Sequence, residues 1–164
     1  MSQIAISDAN IFIDLLRLGF VSPLFEIGLE VVTSQEVFDE LIEEQKEALQ
    51  PFIAEGKLKV HAFSPAAFVE LKTFHINNRL PFSDHSVVFL AEKIAAIVLT
   101  GDQLILKACE QRNIEVHGIL WLLDRFLEYG FLDKMTAHAL LTRLIQFNQW
   151  LPREACLKKL REWE

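Results

Sequence analysis

Four acidic residues fall where a carboxylate could do chemistry rather than merely meet water. Asp8 directly follows the short run Ile4-Ala5-Ile6, and Asp102 comes two residues after the apolar run 96–100, Ala-Ile-Val-Leu-Thr. Glu40 falls in the second turn of a helix expected after a strand at 30–33, and Asp84 opens the helix leading into the 96–100 strand. In open parallel sheets, ligands bind beyond the carboxyl ends of the strands, and this reading brings all four acids there. Like charges gathered at one end repel unless a cation sits between them. An all-oxygen donor set suits a hard divalent ion, Mg²⁺ or Mn²⁺, which keeps several waters and uses few carboxylates. Each acid also has an ordinary role open to it. Asp84 suits a helix start, Asp102 a turn and cap, Glu40 a solvated helix face, and Asp8 an Asx-turn. The crowding predicts that one acid, Asp84 or Asp102 foremost, holds its proton unusually well.

The elements that must position these acids alternate along the chain. Residues 4–6 read as a strand, and 10–18 as a helix stopped by Gly19. A second strand at 30–33 runs into Thr33-Ser34-Gln35-Glu36, a capping-box pattern for a helix whose apolar face is Val37, Phe38, Leu41 and Ile42. Residues 57–62 alternate like a half-exposed strand, and Pro65 starts a helix running to about Ile76. Another helix opens at Pro81 with the stripe Val87, Val88, Leu90, Ala91 and Ile94. The unbroken 96–100 run marks a strand buried on both faces; a helix at 104–112 and a short strand at 114–117 follow. Beyond that the pattern is helical, at 120–129, 137–150 and from Pro152 on. Strands alternating with helices imply a parallel sheet between helical layers, joined by right-handed crossovers.

Composition narrows the classes. Half of the 164 residues are apolar and 24% charged, which excludes a disordered or fibrous chain and allows one well-cored domain. The net charge is −7, and residues 1–56 hold two bases against eleven acids, a poor design for simple electrostatic attraction to nucleic acid. No apolar run is long enough for a membrane span, and the start lacks a signal-peptide layout. Cys109 and Cys156 stand far apart without a partner motif, as small apolar fillers in a reducing cytoplasm would.

The segments carrying the acids resemble a known family. Ile6-Ser7-Asp8-Ala9-Asn10, Glu40 in Glu36-Val37-Phe38-Asp39-Glu40-Leu41, Ser83-Asp84 with the stripe behind it, and Leu99-Thr100-Gly101-Asp102-Gln103-Leu104 are similar to the motifs of PIN-domain ribonucleases. That family includes the toxins of VapC-like toxin–antitoxin pairs. Order and spacing both agree, with 32, 44 and 18 residues between successive acids, and the likeness spans 4 to about 130. It implies a three-layer α/β/α PIN-like fold with a central parallel sheet of four to five strands. It also implies a metal-dependent endoribonuclease with one or two Mg²⁺ (or Mn²⁺) held by Asp8, Glu40, Asp84 and Asp102. Asn10 and Thr100 match small polar positions that would orient the carboxylates. The expected partners are RNA and, for a toxin, an antitoxin protein. Residues 1–132 would be the nuclease domain, and 133–164 a helical C-terminal extension packed on it. The stripe Leu140, Leu141, Leu144, Ile145, Phe147 and Trp150 is expected to pack on the domain or form a homodimer.

Other groups carry less. The five histidines, His61, His75, His85, His117 and His138, show no metal-ligand spacing and suit ordinary polar roles, with His85 set apart by its neighbour Asp84. Lys72, Arg79, Lys107 and Arg112 are candidates to guide a phosphate backbone, while the bases at 153–161 alternate with acids as on a solvated helix. The alternative function is a non-catalytic PIN-like module that binds RNA or protein and keeps the acids as a remnant. A receiver-type phosphoacceptor domain would want an early acidic pair that is missing, and an Asp-x-Asp phosphatase fails at Asn10.

Overall fold

Period-two alternation decides which way each strand side chain points, and the sheet follows it. A computed structural model describes residues 2–74 and 80–164. Its strands are β1 Gln3–Ser7, β2 Leu29–Ser34, β3 Leu58–His61, β4 Ile97–Leu99 and β5 Val116–His117. All pair in parallel in the order β3-β2-β1-β4-β5. Ala5, Val31, Ile97 and Leu99 enter one core layer, while their neighbours Ile6, Val32 and Val98 enter the other.

Helices cover both faces. The chain forms α1 Ala9–Leu18, α2 Gln35–Asp39, α3 Glu43–Ala54, α4 Pro65–Thr73, α5 Phe82–Ile94, α6 Gln103–Glu110, α7 Ile119–Glu128, α8 Lys134–Phe147 and α9 Arg153–Glu162. Buried side chains of α1, α3, α7, α8 and α9 fill the first layer, and those of α2, α5 and α6 the second. The fold is three-layer α/β/α with five parallel strands, the upper bound of the expected number.

Strand order locates the site. The chain steps outward from β1 to β2 and β3, then returns to the other side of β1 for β4 and β5. Connections therefore diverge between β1 and β4, leaving a crevice at their carboxyl ends. Asp8 and Asp102 flank that switch point.

Several elements differ from expectation. The helix after β2 is short: α2 is capped by Ser34, whose hydroxyl accepts from the Val37 N–H at 3.1 Å, and it closes at Glu40. Glu40 is thus a C-cap residue, not a second-turn residue. Ile42, expected on the apolar face, is extended and 60% exposed. There Gln45 accepts the Ile42 N–H at 3.0 Å and starts α3, an element the apolar pattern did not separate. Ile94 is exposed, and Phe89 is buried in α5 in its stead. The helix from Pro65 ends at Thr73; Ile76 lies outside the described residues. A 3-10 turn at Ser22–Glu26, started by Pro23, was not anticipated.

The last two helices join the main core. Ala137, Leu140, Leu141 and Leu144 of α8, with Cys156 and Trp163, share one buried cluster with α1 and α7. Asn148 ends α8, and its amide donates to buried Asp14 of α1 at 2.7 Å. The inner part of the 140–150 stripe is therefore consumed inside the chain. Ile145 is exposed and Trp150 is 88% exposed. Both cysteines are free and buried, and burial raises the Cys109 thiol to about 11. No helix among the described residues is long and apolar enough to cross a membrane.

Candidate active site

Asp8 is positioned by three elements at once. As the N-cap of α1 it accepts the Ala9 N–H at 2.8 Å, and its own N–H donates to the Leu99 carbonyl of β4 at 2.9 Å. Its second carboxylate oxygen accepts from Asn10 Nδ2 at 3.1 Å and from Thr100 Oγ1 at 2.8 Å. A carboxylate so held, and only 5% exposed, has one orientation.

Thr100 and Asn10 fasten the opposite wall. Thr100 Oγ1 also accepts the Asp102 N–H at 3.0 Å, and Asn10 Oδ1 accepts the Gly101 N–H at 3.2 Å. Asp102 caps α6, one oxygen accepting from Leu104 and Ile105 at 2.8 and 3.2 Å. The turn-and-cap role considered for Asp102 is thus present, while Asp8 is an N-cap bonded to Ala9 rather than the Asx-turn considered for it. Capping uses one oxygen of each, so it does not exhaust either carboxylate.

Glu40 and Asp84 complete the group from the other side. Ser83 at the start of α5 donates to Glu40 at 2.5 Å. Behind it, the Ser86 hydroxyl bonds the Ser83 carbonyl at 2.5 Å and the Ser34 hydroxyl at 2.7 Å. This file of serines ties α5 to the end of β2, so the exposed Glu40 is held toward the helix that carries Asp84. Sequence reasoning placed Ser34 in a capping-box pattern without a role toward Glu40 and did not single out Ser86; the signal was a hydroxyl one turn after Ser83.

Electrostatics show the four acids acting on one another. Burial, then the charges of Asp8, Asp102 and Glu40, raise the Asp84 carboxyl from 3.8 to about 7. Burial raises Asp8 to about 6 against the pull of Thr100 and Ala9, with Asp102 and Glu40 adding to the rise. Asp84 is raised as expected, with burial contributing more than the crowding behind that expectation, and Asp8 joins it because it is the most deeply buried of the four. Among the described residues no Lys or Arg forms an ion pair with any of them. No three His, Cys, Asp or Glu there make a ready-made metal cage, which accords with carboxylates turned toward their own hydrogen-bond donors.

The other candidates lie elsewhere. Lys72 sits over the Phe68 ring at 5.1 Å, and Arg112 is taken by Glu92 at 3.1 Å and the Phe74 ring at 4.4 Å. Lys107 is exposed. His85 Nδ1 lies 3.2 Å from the Phe74 carbonyl. His75 and Arg79 are outside the described residues.

A family model described as DUF3368: PIN domain matches residues 4–164. The chain belongs to the PIN-domain family. The match takes in α8 and α9 as well as the sheet. Among solved structures, this PIN domain is similar to a PilT N-terminus domain protein, SSO1118, from the hyperthermophilic archaeon Sulfolobus solfataricus P2. The two share 17% identity with a TM-score of 0.54, covering 77% of this chain and 95% of that one. At that identity the likeness speaks for the fold alone. No curated protein matches significantly. PIN domains are generally nucleases, and this one is a nuclease-type module of that family.

Proposed function

We propose that this PIN domain is a divalent-metal-dependent endoribonuclease whose site is Asp8, Glu40, Asp84 and Asp102. One observation carries the reading: four carboxylates crowd the switch point of a parallel sheet without a described basic side chain to balance them. Oxygen-only donors of high negative charge fit Mg²⁺ or Mn²⁺. When bound, such an ion lowers the pKa of a water and offsets charge developing on the phosphoryl group. The chain's own work is positional. Asn10 and Thr100 fix Asp8 against the Gly101-Asp102 turn, and Ser83 fixes Glu40 beside Asp84. A phosphodiester brought between these walls meets carboxylates already held in place, which would turn from part of their hydrogen bonding to take the ion.

The proposal assigns the chemistry to residues 1–132, with 133–164 as a helical extension packed on the same domain. Buried free cysteines suit a cytoplasmic setting. The toxin of a toxin–antitoxin pair, with an antitoxin protein as partner, is the finer reading. A homodimer would use the apolar surface left around Trp150 and Met135, 88% and 80% exposed. Light scattering of wild type and Trp150→Ser at micromolar concentration tests the dimer, and a clean monomer in both removes it.

Incubation of labelled single-stranded RNA with pure protein, in EDTA and in millimolar Mn²⁺, tests the nuclease. Cleavage in Mn²⁺ alone is expected. The absence of a ready-made cage favours one rival, the non-catalytic RNA- or protein-binding module. Binding of RNA without cleavage in either condition would establish that rival.

A further inference from the structure

A stack of three side chains runs from the end of β5 onto α7. The rings of His117 and Trp121 lie 4.0 Å apart and 12° from parallel, and the Arg125 guanidinium sits 5.2 Å from the Trp121 centroid. Trp121 and Arg125 are four residues apart on α7, where i and i+4 side chains stand one above another, and His117 joins the stack from the end of β5. The Arg125 end is closed by its ion pair to Glu128.

The His117 end is joined to the candidate site. His117 pairs with Leu99 across the sheet, and its carbonyl accepts the Thr100 N–H at 3.0 Å. Thr100 is the residue whose hydroxyl bonds both Asp8 and the Asp102 N–H. A Cβ on Gly118 would stand 3.4 Å from the Thr100 carbonyl, so the backbone after His117 runs close beside Thr100. The His117 side chain is 24% exposed. Its Nε2 bonds Glu115 at 2.6 Å, a contact in the ring plane that fixes the tilt and leaves the ring face alone. Among the described residues Trp121 is the one ring stacked on His117, so the opposite face has no aromatic neighbour.

We infer that the outer face of His117 is a stacking platform for one unpaired nucleobase next to the scissile phosphate. This deepens the nuclease reading above and rests on it. A flat π-system is what completes a ladder of parallel planes, and a nucleobase offers one beside the phosphate that the acids would handle. A base held in a duplex cannot present its face, so the platform selects single-stranded RNA. Larger purine rings gain more from it than pyrimidines. His117 is a positioning residue, and Trp121 and Arg125 hold its ring.

The test compares wild type, His117→Ala and His117→Phe on short single-stranded RNAs, with 2-aminopurine or an abasic residue at each position flanking the cut. Affinities are measured in EDTA and KM and kcat in Mn²⁺. His117→Ala should weaken binding and raise KM by about 5- to 150-fold, the range for stacking one base on an aromatic ring. Its kcat should move little, and His117→Phe should restore both affinity and 2-aminopurine quenching. On RNA abasic at the stacked position, wild type and His117→Ala should be alike. If His117→Ala is equally impaired on the abasic RNA, its role is structural and the inference falls. If wild type cleaves in Mn²⁺ but no flanking 2-aminopurine is quenched, the platform falls and the nuclease stands. If wild type neither binds nor cuts RNA, both fall.

Discussion

The hydroxyl of Thr100 reaches across 92 residues of sequence to donate to Asp8 at 2.8 Å, and the same oxygen accepts the Asp102 N–H at 3.0 Å. One buried atom thus sets the spacing of two walls of the candidate site.

The walls should matter unequally to catalysis. Asp8→Asn and Asp102→Asn are each expected to lower metal-dependent RNA cleavage by about 100-fold or more, and Asn10→Ala by about 10-fold, as for a residue that orients a ligand. Initial rates over a Mn²⁺ titration check this. Equal rates in wild type and both Asp variants would contradict the site.

Thr100→Val keeps the volume and deletes the bridge. The part-buried Asp102 N–H loses its acceptor and buried Asp8 a donor, for an expected destabilisation of about 1–3 kcal/mol. Because the Thr100 bond lowers the Asp8 carboxyl, that carboxyl should rise further above its present value of about 6. Denaturant midpoints and a carboxyl NMR titration measure the two effects, and Thr100→Ser should reproduce neither.

The acid cluster should make the metal-free protein less stable as pH rises. Asp8 and Asp84 are raised from 3.8 to about 6 and about 7, so the folded state binds more protons than the unfolded chain across that window. Stability from these groups is therefore greatest below about pH 4 and falls through pH 7. Asp84 is half-exposed, so solvent screening makes its contribution smaller than the shift alone implies. In EDTA at pH 8, Asp84→Asn is expected to melt a few degrees above wild type, with the gap closing at pH 5. Millimolar Mn²⁺ should then raise wild type more than the variant. A variant that melts below wild type at pH 8, with Mn²⁺ affecting neither, would mean that Asp84 is only a helix-start residue.

Asn148→Ala tests the brace between α8 and α1. It strips buried Asp14 of its amide donor, and burial already raises that carboxyl. The expected loss is about 1–3 kcal/mol, and it should shrink once acid protonates Asp14, because the charged carboxylate depends on the donor most. Cleavage at saturating Mn²⁺ should persist, since Asp14 lies outside the acid cluster.

Much of the fold was legible because it is local. Alternation in 57–62, the unbroken run 96–100 and Gly19 as a helix stop each report an element through a few adjacent residues. The expected helix through Ile42 failed for the opposite reason. Its apolar spacing was right for one longer helix, but the Gln45 side chain captures the Ile42 N–H and starts a new one. The stripe at 140–150 showed an apolar face without showing what covers it, and part of the answer, α1, lies over a hundred residues away in the chain.

The sequence by itself determined the alternating α/β plan, the order of the four acids and the placement of Asp8, Asp84 and Asp102 after strands and at helix starts. Those depend on side-chain periodicity and on capping chemistry, which act over one or two turns. Only the tertiary structure decided that Asp8 is the most buried acid, that the Ser34, Ser86 and Ser83 file steadies Glu40, and that Thr100 joins Asp8 to Asp102. Desolvation and hydrogen bonds between distant segments depend on which strands become neighbours. That choice is made by packing two hydrophobic layers on one sheet, and no local pattern encodes it.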